Sequence, residues 1–176
     1  MTTSAFDLAA NASQQRTAED FFRDHSFRVY LWPLFWRDVT GAHDFNWTEV
    51  PFEQNSVAQI PAQQGIYAFK LRIQDTILPS HGIIVYFGES GVRGNGSLKR
   101  RFKEYLRDRR VGPKRPKFEW LFKNWPDDLV FCYATLNWTS EELAKLEKDL
   151  SDAAMPVCST KDFSARIRRV AAVLRN

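Results

Sequence analysis

Hydrophobic positions in the middle of the chain form short apolar segments that predict three β-strands. The segments Gly65–Ile73 (GIYAFKLRI) and Ile83–Phe87 (IIVYF) are rich in β-branched and aromatic residues, and the connection between them contains Pro, Ser and Gly. Its length suits an antiparallel hairpin with a long tip. Leu129–Leu136 (LVFCYATL) is a nearly continuous apolar run, which indicates a third strand buried on both faces.

Between the second and third predicted strands, apolar residues recur at helical spacing. Ser97 is placed to cap a helix that runs from Leu98 to about Arg109. The apolar face of this helix is formed by Leu98, Phe102, Tyr105 and Leu106. Arg100 points to the opposite side, whereas Arg101 lies at the edge of the apolar face. An arginine at such an edge can extend into solvent or reach into a cleft.

The segment after the third strand predicts a second helix with one unusual carboxylate. Thr139 and Glu142 have the spacing of a capping box. The apolar stripe is formed by Leu143, Leu146, Leu150 and Ala154, and the positions predicted to face away are Glu141, Lys145, Lys148 and Asp152. Glu147 projects from the apolar stripe itself. An ionised carboxylate there is costly unless a salt bridge, an arginine or a metal ion compensates it.

The two ends of the chain give weaker patterns. A helix is predicted from about Thr17 to His25, with Thr17 and Asp20 in capping positions. Residues 27–52 are rich in aromatic side chains but show no clean period, so no element is assigned. Residues 53–64 are polar and rich in Gln, and we interpret them as a linker. A C-terminal helix is predicted from the spacing of Phe163, Ile167, Val170 and Leu174.

Composition indicates a folded protein without a membrane span. The chain has 176 residues, of which 44% are hydrophobic and 14% aromatic, enough for one domain with an appendage. No apolar run approaches the roughly 18 residues that a membrane helix needs, and the N-terminus lacks the features of a signal peptide. Cys132 and Cys158 have no CxxC partner, which predicts reduced cysteines in a cytoplasmic protein.

Positive charge is concentrated in one segment of the chain. Residues 89–124 contain twelve Lys or Arg and four acids, a local net charge of +8 in a chain whose total is +4. Such a block predicts an anionic polymer as partner, because phosphate contacts supply most non-specific affinity; a solvated helix face is the alternative. The candidate nucleic-acid-binding residues are Arg93, Lys99, Arg100, Lys103, Lys114, Arg115 and Lys117. Trp120 and Trp125 lie among them and could stack on bases or belong to the core.

Four signatures, in order along the chain, resemble those of the GIY-YIG nuclease superfamily. Gly65-Ile66-Tyr67 is similar to the first tripeptide of the family, and Tyr86-Phe87-Gly88 to the second, with Phe in the middle position. Leu98-Lys99-Arg100-Arg101-Phe102 resembles the helix that carries the family's arginine. Glu147-Lys148-Asp149-Leu150, with a proline nine residues after the glutamate, resembles the helix that carries its glutamate.

The resemblance covers about residues 65–159 and implies an α/β (α+β) fold. Its expected architecture is a small three-stranded antiparallel sheet flanked by helices, GIY-YIG-like, with the active site on one face of the sheet. Residues 1–60 would then be an aromatic-rich N-terminal extension that is partly helical and packs on the core. Residues 61–176 would be the nuclease domain, including the C-terminal helix.

The resemblance also implies a metal-dependent endonuclease that hydrolyses phosphodiester bonds of DNA, most simply double-stranded DNA. Glu147 would ligate a single Mg²⁺, with Mn²⁺ as a substitute, and Arg101 would hold the phosphate oxygens. Tyr67 or Tyr86 would orient or deprotonate the attacking water, and the sequence leaves open which of them does so. A phenol with a pKa near 10 needs nearby positive charge to act as a base at neutral pH.

The chain departs from the family pattern at auxiliary positions. Tyr105 stands one turn after the arginine, where a histidine is common, and could contact phosphate or take over that auxiliary role. Ser159 stands where an asparagine is common, and Glu89 follows the second tripeptide in place of Lys or Ser. Gly88 and Ser159 are therefore auxiliary candidates. A catalytically silent nucleic-acid-binding module and an RNA-directed nuclease are the alternatives, and the oligomeric state stays open, a dimer included.

Overall fold

The computed structural model of the chain describes residues 26–41, 43–73, 79, 81–91, 96–159 and 163–174. The elements in chain order are α1 (Pro33–Gly41), β1 (Thr48–Pro51), a 3₁₀ helix (Gln54–Gln59), β2 (Gly65–Ile73), β3 (His81–Ser90), α2 (Leu98–Val111), α3 (Pro116–Asn124), β4 (Leu129–Thr135), α4 (Ser140–Ala154) and α5 (Ala165–Leu174). The helix predicted from Thr17 to His25 lies outside the described residues, and so does the candidate Arg93. No helix in the described ranges is long and apolar enough to cross a membrane.

The strands form a four-stranded antiparallel sheet in the order β1-β4-β2-β3. The three predicted strands are present, and β1 adds a fourth at the edge beside β4. The expected count of three strands is therefore one too low. β1 is only four residues long and buries only Val50, which lies opposite Phe131. It therefore lacks the alternation of apolar and polar residues by which a strand is predicted from sequence. Pro51 is tolerated there because β1 is an edge strand.

Helices cover both faces of the sheet. On one face, α2 and α3 pack on an aromatic core that includes Tyr67, Phe69 and Phe131. On the other face, α1 and α4 pack on a second apolar cluster that includes Ile66 and Phe87. Because successive residues of a strand point to opposite faces, the tyrosine of the first tripeptide and the isoleucine before it belong to different layers.

A bulge in β3 sets the direction of Tyr86. Phe69 pairs with Tyr86 while Lys70 pairs with Ile84, so Val85 is an extra residue on β3. Val85 and Tyr86 accordingly both contribute to the aromatic core instead of alternating between faces. The bulge thereby brings Tyr86 to the same face of the sheet as Phe69, its cross-strand partner.

The predicted helix starts are confirmed by their hydrogen bonds. The Ser97 hydroxyl accepts from the Arg100 N–H at 3.2 Å, and α2 extends to Val111, slightly beyond the predicted end. Thr139 and Glu142 form both bonds of the capping box. The apolar stripe of α4 is buried as predicted, namely Leu143, Leu146, Leu150 and Ala154.

Asp152 is the exception among the α4 positions predicted to face away. It is buried, and its Oδ1 accepts a hydrogen bond from the Ser164 N–H at 2.8 Å. Ser164 immediately precedes α5, so Asp152 satisfies a backbone donor at the start of that helix. Helical phase placed Asp152 opposite the stripe, but the segment that leads into α5 returns to Asp152 and binds its carboxylate. The predicted C-terminal helix is present, with Ile167 buried and Val170 exposed.

Residues 53–64, interpreted from the sequence as a linker, are part of the fold. They contain the 3₁₀ helix, and Ser56 and Ile60 are buried. The Leu98 N–H donates to the Gln63 carbonyl at 2.8 Å, and the Gln64 side chain donates to the Trp138 carbonyl at 2.7 Å. This stretch therefore ties the starts of α2 and α4 to the start of β2.

Candidate functional site

Gly88 makes room for the phenol of Tyr67. The two residues are cross-strand partners in the β2–β3 hairpin. A β-carbon built on Gly88 would lie 2.3 Å from both Cζ and the hydroxyl oxygen of Tyr67, much closer than any real contact. A β-carbon on Gly65 would similarly lie 2.1 Å from the backbone oxygen of Ala134 on β4. The glycines of both tripeptides thus have a steric function in the sheet.

Three tyrosines from three elements converge above this glycine. Tyr67 comes from β2, Tyr86 from β3 and Tyr105 from α2, and their ring centroids are separated by 6.3 Å (67–86), 6.0 Å (67–105) and 6.4 Å (86–105). The hydroxyls of Tyr67 and Tyr105 are 3.2 Å apart. All three residues are at most 5% exposed. The structure therefore brings together the three tyrosines that the sequence nominated, as a buried cluster.

Arg115 lies against this tyrosine cluster. Its Nη2 donates to the Tyr105 hydroxyl at 3.0 Å, and its Nη1 donates to the Tyr86 hydroxyl at 3.4 Å. The guanidinium carbon is 4.4 Å from the centroid of the Phe118 ring, a cation–π contact. The sequence marked Arg115 only as one of several nucleic-acid contacts, because the loop between α2 and α3 has no period that could indicate where its side chain points.

Arg101 lies at the rim of the cluster. Its side chain is 45% exposed, and its Nη1 donates to Glu104 Oε2 at 3.1 Å. Its positive charge lowers the pKa of Tyr67, although other influences on that phenol outweigh it. Glu104 also accepts from Arg100 Nε at 2.9 Å. Sequence reasoning missed Glu104 as an orienting residue, although its spacing of three and four residues from two arginines was a visible signal.

Both catalytic candidates on the sheet are protonated at neutral pH. Burial raises the pKa of Tyr67 well above its ordinary value, and the neighbouring phenols of Tyr105 and Tyr86 act in the same direction. Burial likewise raises the pKa of Tyr86, helped by Tyr105 and by the negative charge of Glu147, while Arg115 acts in the opposite direction. In the resting protein these groups are therefore hydrogen-bonding phenols and not phenolates.

Glu147 is half-buried on α4, and its negative charge acts on a phenol of the tyrosine cluster. Its charge contributes to the raised pKa of Tyr86, which requires the carboxylate to lie near that phenol. α4 packs along β3, and β3 is an edge strand, so a side chain of α4 can approach Tyr86 past the edge of the sheet. The carboxylate and the tyrosines thus come from opposite layers of the fold.

The donor set around Glu147 fits Mg²⁺. Within the described part of the chain, no three His, Cys, Asp or Glu residues form a group that could hold a metal ion. Mg²⁺ keeps several of its waters and binds through one or two carboxylates together with substrate phosphate. Glu147 supplies a single half-buried carboxylate, which is the number of protein ligands that such a site needs.

The basic candidates are distributed over distinct surfaces. Lys99, Arg100 and Lys103 line a groove of about 490 Å³ along α2, together with Arg107. Lys114 and Arg115 line a second groove of about 520 Å³, which reaches Tyr105 and therefore borders the tyrosine cluster. Both grooves are open to solvent.

Lys117, Ser159 and the two tryptophans have positions of a different kind. The Lys117 ammonium donates to the Val157 carbonyl at 2.7 Å, in the turn after α4. Ser159 is buried at the end of the same turn, and its N–H donates to the Pro156 carbonyl at 3.1 Å. This turn is joined to the bulge of β3, because the Cys158 N–H donates to the Val85 carbonyl at 2.9 Å. Trp120 and Trp125 are partly buried against the aromatic core.

Comparison of the chain with protein-family models, with curated proteins and with solved structures gave no match. The functional assignment therefore rests on the residues of the site, their geometry and their charges.

Proposed function

We propose that the chain is a metal-dependent endonuclease that hydrolyses phosphodiester bonds of double-stranded DNA. The observation that carries the proposal is the convergence of three tyrosine hydroxyls with Arg115, next to the charges of Arg101 and Glu147. Such a set contains the groups that phosphodiester hydrolysis needs. The arginines can bind the phosphate, the hydroxyls can bind the attacking water, and the carboxylate can bind a metal ion. The resemblance of the four signatures to GIY-YIG nucleases supports the same assignment.

Arg101 is the residue best suited to hold the scissile phosphate. Its planar guanidinium matches the geometry of two phosphate oxygens, and its side chain is open to solvent at the rim of the site. Glu104 restrains the guanidinium before substrate arrives. This ion pair is exposed and therefore weak, so Arg101 can release the Glu104 carboxylate and bind a phosphate at little cost in free energy.

Glu147 is the residue that would hold the metal ion. Bound there, Mg²⁺ would supply positive charge to the scissile phosphate and to the leaving oxygen. Burial is the main cause of the raised pKa of Tyr86, and the negative charge of Glu147 adds to it. The metal ion and the Arg101 guanidinium would both act on the substrate phosphate beside the tyrosine cluster.

The phenols would handle the attacking water. Since Tyr67 and Tyr86 are protonated at neutral pH, each can accept a hydrogen bond from water or donate one to a phosphate oxygen. To act as a base, a phenol must first release its own proton to solvent. Tyr86 is the better candidate for this role, because a guanidinium donates directly to its oxygen and favours that release. Tyr67 is more deeply buried and hydrogen-bonded to Tyr105, which suits an orienting role.

The experiment that tests the function uses the full chain and supercoiled plasmid. We expect nicked and then linear DNA in the presence of Mg²⁺ or Mn²⁺, and intact plasmid in the presence of EDTA. Binding is measured in parallel by mobility shift. A protein that binds the plasmid but never cuts it with either metal would be a silent nucleic-acid-binding module, and cleavage restricted to RNA would make it an RNA-directed nuclease. Either result contradicts the proposal.

A further inference from the structure

We propose that Arg115 is a positioning residue of the site, which holds the hydroxyls of Tyr86 and Tyr105 together and polarises them for their work on the attacking water. This inference deepens the proposed function and rests on it. The place of Arg115 in the basic segment suggests a direct contact with nucleic acid. In this inference Arg115 instead acts through the two phenols.

Arg115 is the donor in its hydrogen bonds to the phenols. A guanidinium can only donate, so the oxygens of Tyr86 and Tyr105 both act as acceptors toward Arg115, at 3.4 Å and 3.0 Å. Each phenol keeps its own proton for another partner. Tyr105 lies 3.2 Å from the Tyr67 hydroxyl, so the network continues from Arg115 through Tyr105 to Tyr67. One guanidinium therefore reaches all three hydroxyls of the cluster.

The position of Arg115 is fixed by packing and not by a carboxylate. Its guanidinium carbon lies 4.4 Å from the ring centroid of Phe118, 5.4 Å from that of Tyr86 and 5.7 Å from that of Tyr105. Its backbone carbonyl accepts from the Phe118 N–H at 3.0 Å, at the start of α3. Among the described residues Arg115 forms no ion pair, whereas Arg101 is paired with Glu104. The Arg115 charge is therefore directed at the phenols.

A cation that donates to a phenol oxygen draws electron density from it and makes the phenol O–H a stronger hydrogen-bond donor. Arg115 donates in this way to the oxygens of Tyr86 and Tyr105, at 3.4 Å and 3.0 Å. Removing the guanidinium should therefore weaken the hold of both phenols on the attacking water while leaving most DNA contacts in place. A direct phosphate contact would behave in the opposite way, because its loss weakens binding and leaves the chemical step intact.

Arg115→Gln, Arg115→Lys and Lys123→Gln separate these two roles. Lys123 is exposed near the end of α3, so its replacement removes the same charge outside the cluster. We expect Arg115→Gln to lower kcat about 10- to 100-fold with KM changed by less than about 3-fold. Arg115→Lys, which keeps the charge but loses the fork, should recover part of kcat and serves as the test if Arg115→Gln does not fold. Lys123→Gln should match wild type.

A second measurement is independent of cleavage. In protein labelled with ¹³C at the tyrosine Cζ position, the Tyr86 and Tyr105 resonances should move in both Arg115 variants and stay in place in Lys123→Gln. If wild type does not cut DNA, the proposed function fails, yet these resonances still decide whether Arg115 polarises the phenols. Unmoved resonances overturn the inference, and so does an Arg115→Gln variant that raises KM while kcat stays at the wild-type value.

Discussion

At the scale of single residues, the proposed site consists of hydroxyl groups fixed inside an aromatic core. Tyr67 stacks on Phe131 with ring centroids 5.2 Å apart, and Tyr105 stacks on Phe118 at 5.1 Å. Such contacts stabilise the rings and limit their movement. The phenols are therefore positioned by the same packing that stabilises the fold, and substitutions that disturb this packing should affect the proposed site directly.

Gly88→Ala tests this coupling between packing and site. The added methyl group would lie 2.3 Å from Tyr67 Cζ, so either the ring or the β3 backbone must shift. We expect a loss of about 1–3 kcal/mol in the free energy of unfolding, measured with urea, and a changed near-ultraviolet circular dichroism spectrum. Gly41→Ala is the control, because its methyl group meets no atom within 4 Å. Equal stability of the two variants would contradict the steric function of Gly88.

The buried phenols predict loss of stability at alkaline pH. The pKa values of Tyr67 and Tyr86 are raised in the folded protein, so on raising the pH the unfolded chain ionises first, near pH 10. Their contribution to stability is complete below that pH and is lost as the pH rises from there toward their folded-state pKa values. Urea unfolding between pH 8 and about pH 11 should show this decline, and Tyr67→Phe should make it shallower. A decline unchanged by Tyr67→Phe would contradict the assignment.

At the scale of elements, the sequence predicted the helices and strands that have a pattern within their own residues. β2, β3, β4, α2 and α4 have apolar periods or caps that can be read directly, and their positions are confirmed. β1 buries only Val50, and α3, which begins at Pro116, has no counterpart among the predicted elements. The hydrogen bond of Asp152 comes from Ser164, twelve residues later in the chain, and no local pattern reveals such a contact.

The N-terminal part of the chain contributes directly to the sheet and its core. β1 pairs with β4, and Phe52 contacts Phe69, Phe102 and Phe122 with ring centroids 5.0, 5.4 and 5.5 Å apart. The Phe52 carbonyl also accepts from Arg109 Nη1 at 3.0 Å. Residues 48–60 therefore belong structurally with the motif-bearing part that follows.

Deletion of residues 1–60 tests this view at the predicted domain boundary. The remaining chain, residues 61–176, loses β1 and the Phe52 side chain, and truncating a buried Phe alone costs about 3–5 kcal/mol. Since a domain of this size is stable by only about 5–15 kcal/mol, we expect the fragment to show no cooperative unfolding transition by circular dichroism. The full chain measured in parallel is the control. A fragment that unfolds cooperatively at the same urea concentration as the full chain would contradict the prediction.

At the scale of the whole molecule, the residues of the proposed site come from both layers that cover the sheet. α2 and the loop before α3 carry Arg101, Tyr105 and Arg115 in one layer, and α4 carries Glu147 in the other. The sequence could nominate Tyr67, Tyr86, Arg101 and Glu147 because their motifs occur in order. It could not single out Arg115 among twelve basic residues, because its place depends on the three-dimensional packing of Phe118 and the tyrosines.

The most direct test of the account is the rate of plasmid cleavage in Mg²⁺ by Glu147→Gln, compared with Glu141→Gln. Both substitutions remove one negative charge from α4, but Glu141 is exposed in the first turn, whereas Glu147 is half-buried and its charge acts on Tyr86. We predict that Glu147→Gln binds DNA and cuts it at least about 100-fold more slowly than wild type, while Glu141→Gln retains the wild-type rate. Cleavage by Glu147→Gln at the wild-type rate would contradict the proposed site.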